Sequence, residues 1–375
     1  MTALIAVNLD RVSVTLTEPV RFGSRMASWR EVGILHLVAA DGTEGIGEVA
    51  LDLAGDHGAQ QAASLHTVLV GLEPGDWSAL DDRLARLPGD TRADRAVRSA
   101  IEMAMLDLIG RGSGRPVAEV LGATRGAVPV NALLTASAGS DRDLAELAAA
   151  AESLARGGFR TVKVKRQFDA PDPVATMRAV RSAVGPDVAL RLDLNGDLGE
   201  DAALELLPRL AELDLEYVEQ PVDPALGAAA LARVRRQTGV PIAADESVED
   251  SAAAAALLAE GAVDVLVLKP TRVGGPRQAL AIARTAAAVG VRTTISTFYE
   301  TGVGLAAALH LAAAIPGDHA HGLATGALLE DDLVVEPLSV VDGRIDLPAG
   351  AGLGVELDRG AVDRLRAAAI AREPR

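Results

Sequence analysis

Four charged residues recur at nearly constant spacing in the second half of the chain, and no other feature narrows its fold as much. Asp193, Glu219, Asp245 and Lys269 stand 26, 26 and 24 residues apart, each ending a short apolar or β-branched run and each followed by an Ala-rich stretch. A strand and its returning helix need about that length, so successive strands lie parallel and their C-terminal ends converge. Eight such runs can be placed, at 128–134, 161–165, 188–193, 217–219, 242–245, 263–269, 292–296 and 321–324. They predict an α/β fold, a (β/α)8-type, TIM-like barrel over residues 126–342; a doubly wound open sheet shares the same periodicity.

The chain before the repeats has another texture. Strand-like stretches at 3–14, 32–38 and 46–49, with Gly42 marking a hairpin turn, precede a helix at 93–111 whose apolar residues fall three or four apart. This predicts an α+β capping domain over 1–125, completed by about 343–375, where the chain returns from the barrel.

With 36 basic and 52 acidic residues the formal charge is −16. A general field attracting nucleic acid or anionic lipid is therefore absent, and an anionic substrate has to be caught locally. No cysteine is present, which excludes disulfides and thiolate sites and leaves oxygen ligands for a hard metal. The first residues carry no basic n-region, and the longest uncharged run, 301–317, holds 17 residues with three glycines and Pro316, which reads as a buried helix instead of a membrane span. A cytoplasmic enzyme follows, with a small-molecule carboxylate as partner, no nucleic acid or membrane, and an acidic, Ala-rich exterior compatible with a homo-oligomer.

Side chains alternate across a strand, which tests the facing of each candidate. Lys163 and Lys165 share one face, with Val162 and Val164 on the other. Asp193 faces inward against Leu190 and Leu192, Glu219 against Val218, and Lys269 against Leu266 and Leu268. Three convergent carboxylates would repel one another, and Mg²⁺, or equally Mn²⁺, removes the conflict; a purely structural network of acids and lysines is the alternative. Lys165 can act as a base only if its pKa falls, and the Lys163 ammonium, a nearby dication and burial all push it that way. Lys269, across the barrel, is placed for a second proton position or for charge stabilisation.

The words Val162-Lys163-Val164-Lys165, Arg191-Leu192-Asp193-Leu194-Asn195, Glu219-Gln220-Pro221, Ala244-Asp245-Glu246-Ser247 and Lys269-Pro270, with Gly274-Gly275 following, resemble the enolase superfamily in its muconate-lactonizing subgroup. Gly45-Ile46-Gly47-Glu48 and the helix near 100–108 are similar to that family's capping domain, so the resemblance spans nearly the whole chain. It implies proton abstraction α to a carboxylate, an enediolate steadied by a metal held by Asp193, Glu219 and Asp245, and Lys165 as base. It also implies that Lys163 lowers the base's pKa and contacts the carboxylate, that Lys269 steadies the opposite face, and that Asn195 and Glu246 support the site.

The reaction is narrowed by the last two strands. The stretch from Ser296 through Glu300 and Thr301 to Gly304 resembles the Ser-x-x-x-Glu-Thr-x-x-Gly pattern of o-succinylbenzoate synthases, which implies a syn-dehydration in menaquinone biosynthesis with Ser296 and Glu300 near the substrate. Dipeptide epimerases carry an Asp-x-Asp pair where this chain has Leu323, Ala324 and Thr325, and muconate cycloisomerases a glutamate where it has Gly322 or Leu323. An N-acylamino acid racemase and a muconate-type cycloisomerase remain the rivals, with a non-catalytic ligand-binding barrel more distant. Arg21, Met26 and the loop at 52–56 belong to the segment expected to cover the substrate.

Overall fold

The computed structural model describes residues 2–22, 25–51, 64–86, 91–136, 144–166 and 172–372. Strands β1 (Leu4–Phe22), β2 (Arg25–Ala39) and β3 (Glu44–Ala50) form an antiparallel meander. The β2–β3 turn closes at Gly42, whose φ of 86° is one that glycine adopts without strain. Helices α1 (Trp77–Leu84) and α2 (Arg92–Ser113) cover one face of this sheet, and Leu35, Leu37, Val49, Ile101 and Met105 meet in a shared core. α2 begins in a capping box between Thr91 and Asp94 and runs a residue or two beyond the expected bounds at each end. It lies so close to β3 that a Cβ on Gly47 would stand 2.1 Å from the Ala100 carbonyl oxygen. Arg21's side chain and the segment 52–56 lie outside the described residues, while Met26 is exposed.

A short helix α3 (Val117–Val120) leads to β4 (Ala127–Pro129) and then to seven parallel strands, β5 (Ala132–Ala136), β6 (Thr161–Arg166), β7 (Ala189–Asp193), β8 (Tyr217–Glu219), β9 (Ile242–Ala244), β10 (Val265–Leu268) and β11 (Arg292–Ile295), hydrogen-bonded in chain order. The helices between them are α4 (Leu144–Arg156), α5 (Pro173–Val184), α6 (Glu200–Leu206), α7 (Gly227–Thr238), α8 (Ser251–Ala259), α9 (Pro270–Val273) and α10 (Pro276–Ala288), with α11 (Gly302–Ala314) after β11. The sheet curls into a TIM-like α/β barrel. Its interior is plugged by Tyr217, Ala243, Val265 and Val267, while Val218, Leu266 and Leu268 point out into the layer beneath the helices. The uncharged run 301–317 is largely α11, every residue of which is buried through Ala313.

Two expected strands are realised differently. The run at 128–134 is split: β4 pairs antiparallel with β12 (Arg344–Asp346), and only from Ala132 does the chain join the parallel sheet. Pro129 still pairs with Arg344, and the two residues after it bond elsewhere, Val130 N to Gly343 O and Asn131 N to His321 O, so the run changes partners before Ala132. The run at 321–324 forms no ladder. His321 bridges Val130 and Gly322 bridges Ser296, through Asn131 N to His321 O at 2.9 Å and Gly322 N to Ile295 O at 2.8 Å, so this pair links the two edges of the curled sheet. The C-terminal helix α12 (Arg359–Arg372) returns onto β1, where Arg366 pairs with Asp10 at 2.7 Å.

Two buried acids of the N-terminal unit cap barrel helices that have no side-chain cap of their own. Glu102 on α2 accepts from Arg277 N at 3.0 Å at the start of α10, where Gly275 offers no side chain. Glu48 on β3 accepts from Thr301 N at 3.1 Å, Gly304 N at 2.9 Å and Thr301 Oγ1 at 2.6 Å at the start of α11. Such bonds satisfy orphan N–H groups and the positive end of the helix dipole. Burial nevertheless pushes Glu48 up to about 8, with the Glu300 carboxylate adding to it, and pushes Glu102 up to about 6 against Arg277.

A carboxyl whose folded pKa is raised binds a proton that the unfolded chain has released, so its stabilising contribution is present at low pH and lost as pH rises through the folded pKa. For Glu48 that window runs from 4.5 to about 8. Glu48→Gln is expected to flatten the decline of the thermal midpoint across this window, as measured by calorimetry over a pH series; a decline as steep as wild type would refute the assignment.

Candidate active site

The β6, β7 and β8 strands are in register such that Lys165 stands beside Asp193 and Asp193 beside Glu219, with Asp245 one residue past β9 and Lys269 one residue past β10. Asp193, Glu219, Asp245 and Lys269 are all buried. Their charges are matched in pairs. Lys163 Nζ lies 2.9 Å from Asp193 Oδ2 and 2.7 Å from Glu219 Oε1. Lys269 Nζ bonds Asp245 Oδ2, and Arg272 Nη1 reaches the other oxygen, Oδ1, at 2.7 Å. Among the described residues no group of three or more histidines and acids stands together as a metal-holding cluster; the carboxylates are turned onto protein cations.

The electrostatic consequences differ by residue. For Asp245 burial acts upward, but Arg272 and then Lys269 outweigh it and hold the carboxyl well below the usual range. Asp193 is also lowered, with Lys163 overcoming burial. Glu219 is pushed up to about 7 by burial and by the Asp193 charge, and its Oε2 is buried with no partner in the protein. Burial pulls Lys269 down, and Arg272 adds to that against Asp245.

For Lys165 the sequence counts three downward influences, burial, the Lys163 ammonium and a nearby dication, of which the protein by itself supplies the first two. Burial does act downward, but the Asp193 carboxylate and Tyr299 outweigh it, and the net shift is upward. The Lys163 ammonium also acts downward, less strongly than Asp193 and Tyr299 act upward.

The supporting residues divide. Asn195, at a φ of 49°, donates from Nδ2 to Glu246 Oε1 at 3.2 Å and from its backbone N to Asp193 Oδ1 at 3.0 Å, so it joins the loops after β7 and β9. Glu246 Oε2 is buried without a partner. Ser296 sits at the barrel seam, its Oγ 3.5 Å from Gly322 O. Both oxygens of Glu300 are engaged, one by Thr271 Oγ1 at 3.0 Å and the other by Phe298 N, so this acid secures its own turn.

Three contributors were not singled out from the sequence. Gln220 accepts from Asp245 N and Ser247 N, each at 3.1 Å, and donates to Ser247 Oγ at 2.8 Å, wiring the β8 and β9 loops together. Arg272, one helical turn past Lys269, has the i, i+3 spacing that could have revealed it. Phe298 places its ring 4.7 Å from Lys269 Nζ and 5.1 Å from Arg272 Cζ, a cation–π contact no spacing rule signals. A further signal was available: Lys163, Lys165 and Lys269 are the only lysines of the chain, the other 33 basic residues being arginine. Arginine stays charged at any accessible pH, so a titratable amine is retained only in this barrel mouth.

Two family descriptions match the chain. The N-terminal domain of mandelate racemase / muconate lactonizing enzymes matches residues 5–122, and the enolase C-terminal domain-like family matches residues 146–361. Chloromuconate cycloisomerase CbnB of Cupriavidus necator is 31% identical over 363 residues, covering 94% of this chain and 97% of the relative. The o-succinylbenzoate synthase of Thermobifida fusca is 40% identical over 260 residues, 66% of this chain and 76% of the relative. The N-succinylamino acid racemase of Thermus thermophilus is 32% identical over 349 residues, 90% of each.

Arg272→Met would leave one Asp245 oxygen buried without its guanidinium. Urea unfolding of the metal-free protein is expected to show a loss of about 3–5 kcal/mol, the cost of breaking a buried pair; a loss under about 1 kcal/mol, as for an exposed pair, would contradict the pairing.

Proposed function

This chain belongs to the enolase superfamily, in its muconate-lactonizing subgroup, and on that premise we propose that it is a Mg²⁺-dependent o-succinylbenzoate synthase that removes a proton α to a carboxylate. The observation that carries the reading is the buried constellation of three acids at adjacent strand ends with the chain's three lysines around it. The choice of reaction rests on the 40% identity to the Thermobifida fusca synthase and on the Ser296–Glu300–Thr301–Gly304 pattern.

The chemistry of the donors suits a hard divalent ion, all oxygen and three carboxylates, with Glu219 Oε2 buried and unpartnered and its carboxyl pushed up by burial and Asp193, although here the acids face protein cations that an ion would have to displace. Asp193, Glu219 and Asp245 would hold the ion, with Asn195 and Glu246 steadying the loops that carry them. When bound, Mg²⁺ supplies a Lewis acid for the substrate carboxylate, and its charge relieves the demand those acids place on the lysines. Lys165 Nζ, once neutral, takes the α-proton. The same amine returns that proton to the departing hydroxide on the same face, so one C–H and one C–O bond break, water leaves and the ring becomes aromatic. Lys163 holds the acids on this flank, and Lys269 opposes the developing negative charge from across the barrel.

One observation favours a second reading. Burial and Arg272 lower the Lys269 pKa, which suits a second amine able to exchange a proton, as an N-succinylamino acid racemase requires. Ultraviolet detection of o-succinylbenzoate from its cyclohexadiene precursor is expected to show turnover that chelator abolishes and Mg²⁺ restores. Lys165→Ala should lower kcat by about 10²–10⁴-fold. Lys269→Arg keeps a cation and removes the titrating amine, so dehydration should survive it and racemisation should not. Absence of metal-dependent dehydration, with racemisation of an N-succinylamino acid present, would replace the first reading by the second.

A further inference from the structure

The turn between β11 and α11 reaches Lys269 through Phe298, and the N-terminal unit grips it from outside. Tyr299 adopts a φ of 63°. A bulky side chain pays for that conformation unless its surroundings impose it. Among the described residues five non-glycine positions have positive φ, and three of them, Asn195, Gln220 and Tyr299, stand at strand ends around the lysines. What holds Tyr299 is Arg30 on β2, fully buried, whose Nη1 donates to Tyr299 O at 3.2 Å.

The neighbours of Tyr299 are fixed as firmly. Thr301 N and Oγ1 donate to Glu48 of β3. Glu300 accepts from Thr271 Oγ1, on the helix that begins just after Lys269, and the Arg30 charge counters the burial of this carboxylate. Phe298 lies under Lys269 and Arg272. Tyr299 is also, after Asp193, the group that most raises the Lys165 pKa.

Resting on the proposed proton abstraction by Lys165, we propose that Arg30 is a positioning residue of the reaction: by clamping Tyr299 O it sets the Phe298–Thr301 turn, which places Phe298 against Lys269 and fixes where Tyr299 stands relative to Lys165. The turn beside the active amines is thus set by a side chain of the N-terminal unit acting through the Tyr299 carbonyl. Arginine suits this role, since one planar guanidinium can donate to a carbonyl while its charge serves Glu300.

With only three lysines, protein labelled with [¹³C]lysine gives one Cε signal for each, a readout independent of turnover. Lys269 protons over the Phe298 face should resonate upfield, and Phe298→Leu should abolish that shift; Tyr299→Phe should move the Lys165 signal. Arg30→Met should displace both signals and lower kcat by about 10–100-fold, the cost of a small misplacement, with KM within about twofold. Arg30→Lys, which keeps the charge and shortens the reach, should fall between if Arg30→Met folds poorly. Arg111→Met, which disturbs the N-terminal unit away from the turn, is the control and should leave both signals in place. Lys165 and Lys269 signals unmoved in both Arg30 variants, or moved equally in Arg111→Met, would overturn the proposal. Displaced signals in a protein that acts on neither the cyclohexadiene precursor nor an N-succinylamino acid would uphold the positioning and defeat the reaction assigned above.

Discussion

Asp193, Glu219 and Asp245 are taken out of water at the ends of three adjacent strands, and the barrel mouth is stable only because positive charge reaches them. An ionised carboxylate in such surroundings costs several kcal/mol unless it is paired and hydrogen-bonded. Lys163 serves two of the acids and Lys269 with Arg272 serves the third. The carboxylates do not share these cations evenly: Asp245 has two and sits far below its ordinary pKa, while Glu219 has half of one and is pushed up to about 7. That imbalance marks Glu219 as the acid with most to gain from a further cation.

The same demand shapes the lysines. Lys163 is committed to its carboxylates, which leaves Lys165 as the freer amine on that flank, although Asp193 still holds its proton on. Neutralising Asp193 would withdraw the largest influence that keeps Lys165 charged, so the acid that would bind an ion also governs the readiness of the base. Across the barrel, Phe298 and Arg272 box in Lys269, fixing the direction of its amine.

Outside the mouth, the two units are joined by polar contacts at helix starts as well as by apolar packing. Glu48 and Glu102 supply the caps that α11 and α10 lack, and these helices follow the strands carrying the turn at 298–301 and Lys269. Coupling of the N-terminal unit to the site is therefore built into backbone satisfaction. A helix end left with unpaired N–H groups would fray next to the lysines.

The sequence by itself determined the repeat, the parallel sheet, the inward set from Lys163 to Lys269 and the buried α11 helix, because period and alternation are local properties that a string records directly. It over-extended the strand at 128–134, where the run changes partners from β12 to β6, and it placed a full strand at 321–324 where the chain makes bridges alone. It left open which cation each carboxylate meets and which carboxylate reaches Lys165. Only the tertiary structure decided those matters, along with the parts played by Arg30, Glu48, Gln220, Arg272 and Phe298. Their partners lie from 25 to 269 residues away, and the electrostatics of a buried amine depends on which carboxylate reaches it first. Spacing along a chain predicts which residues can meet, whereas the balance of their charges exists only once they have met and water has left.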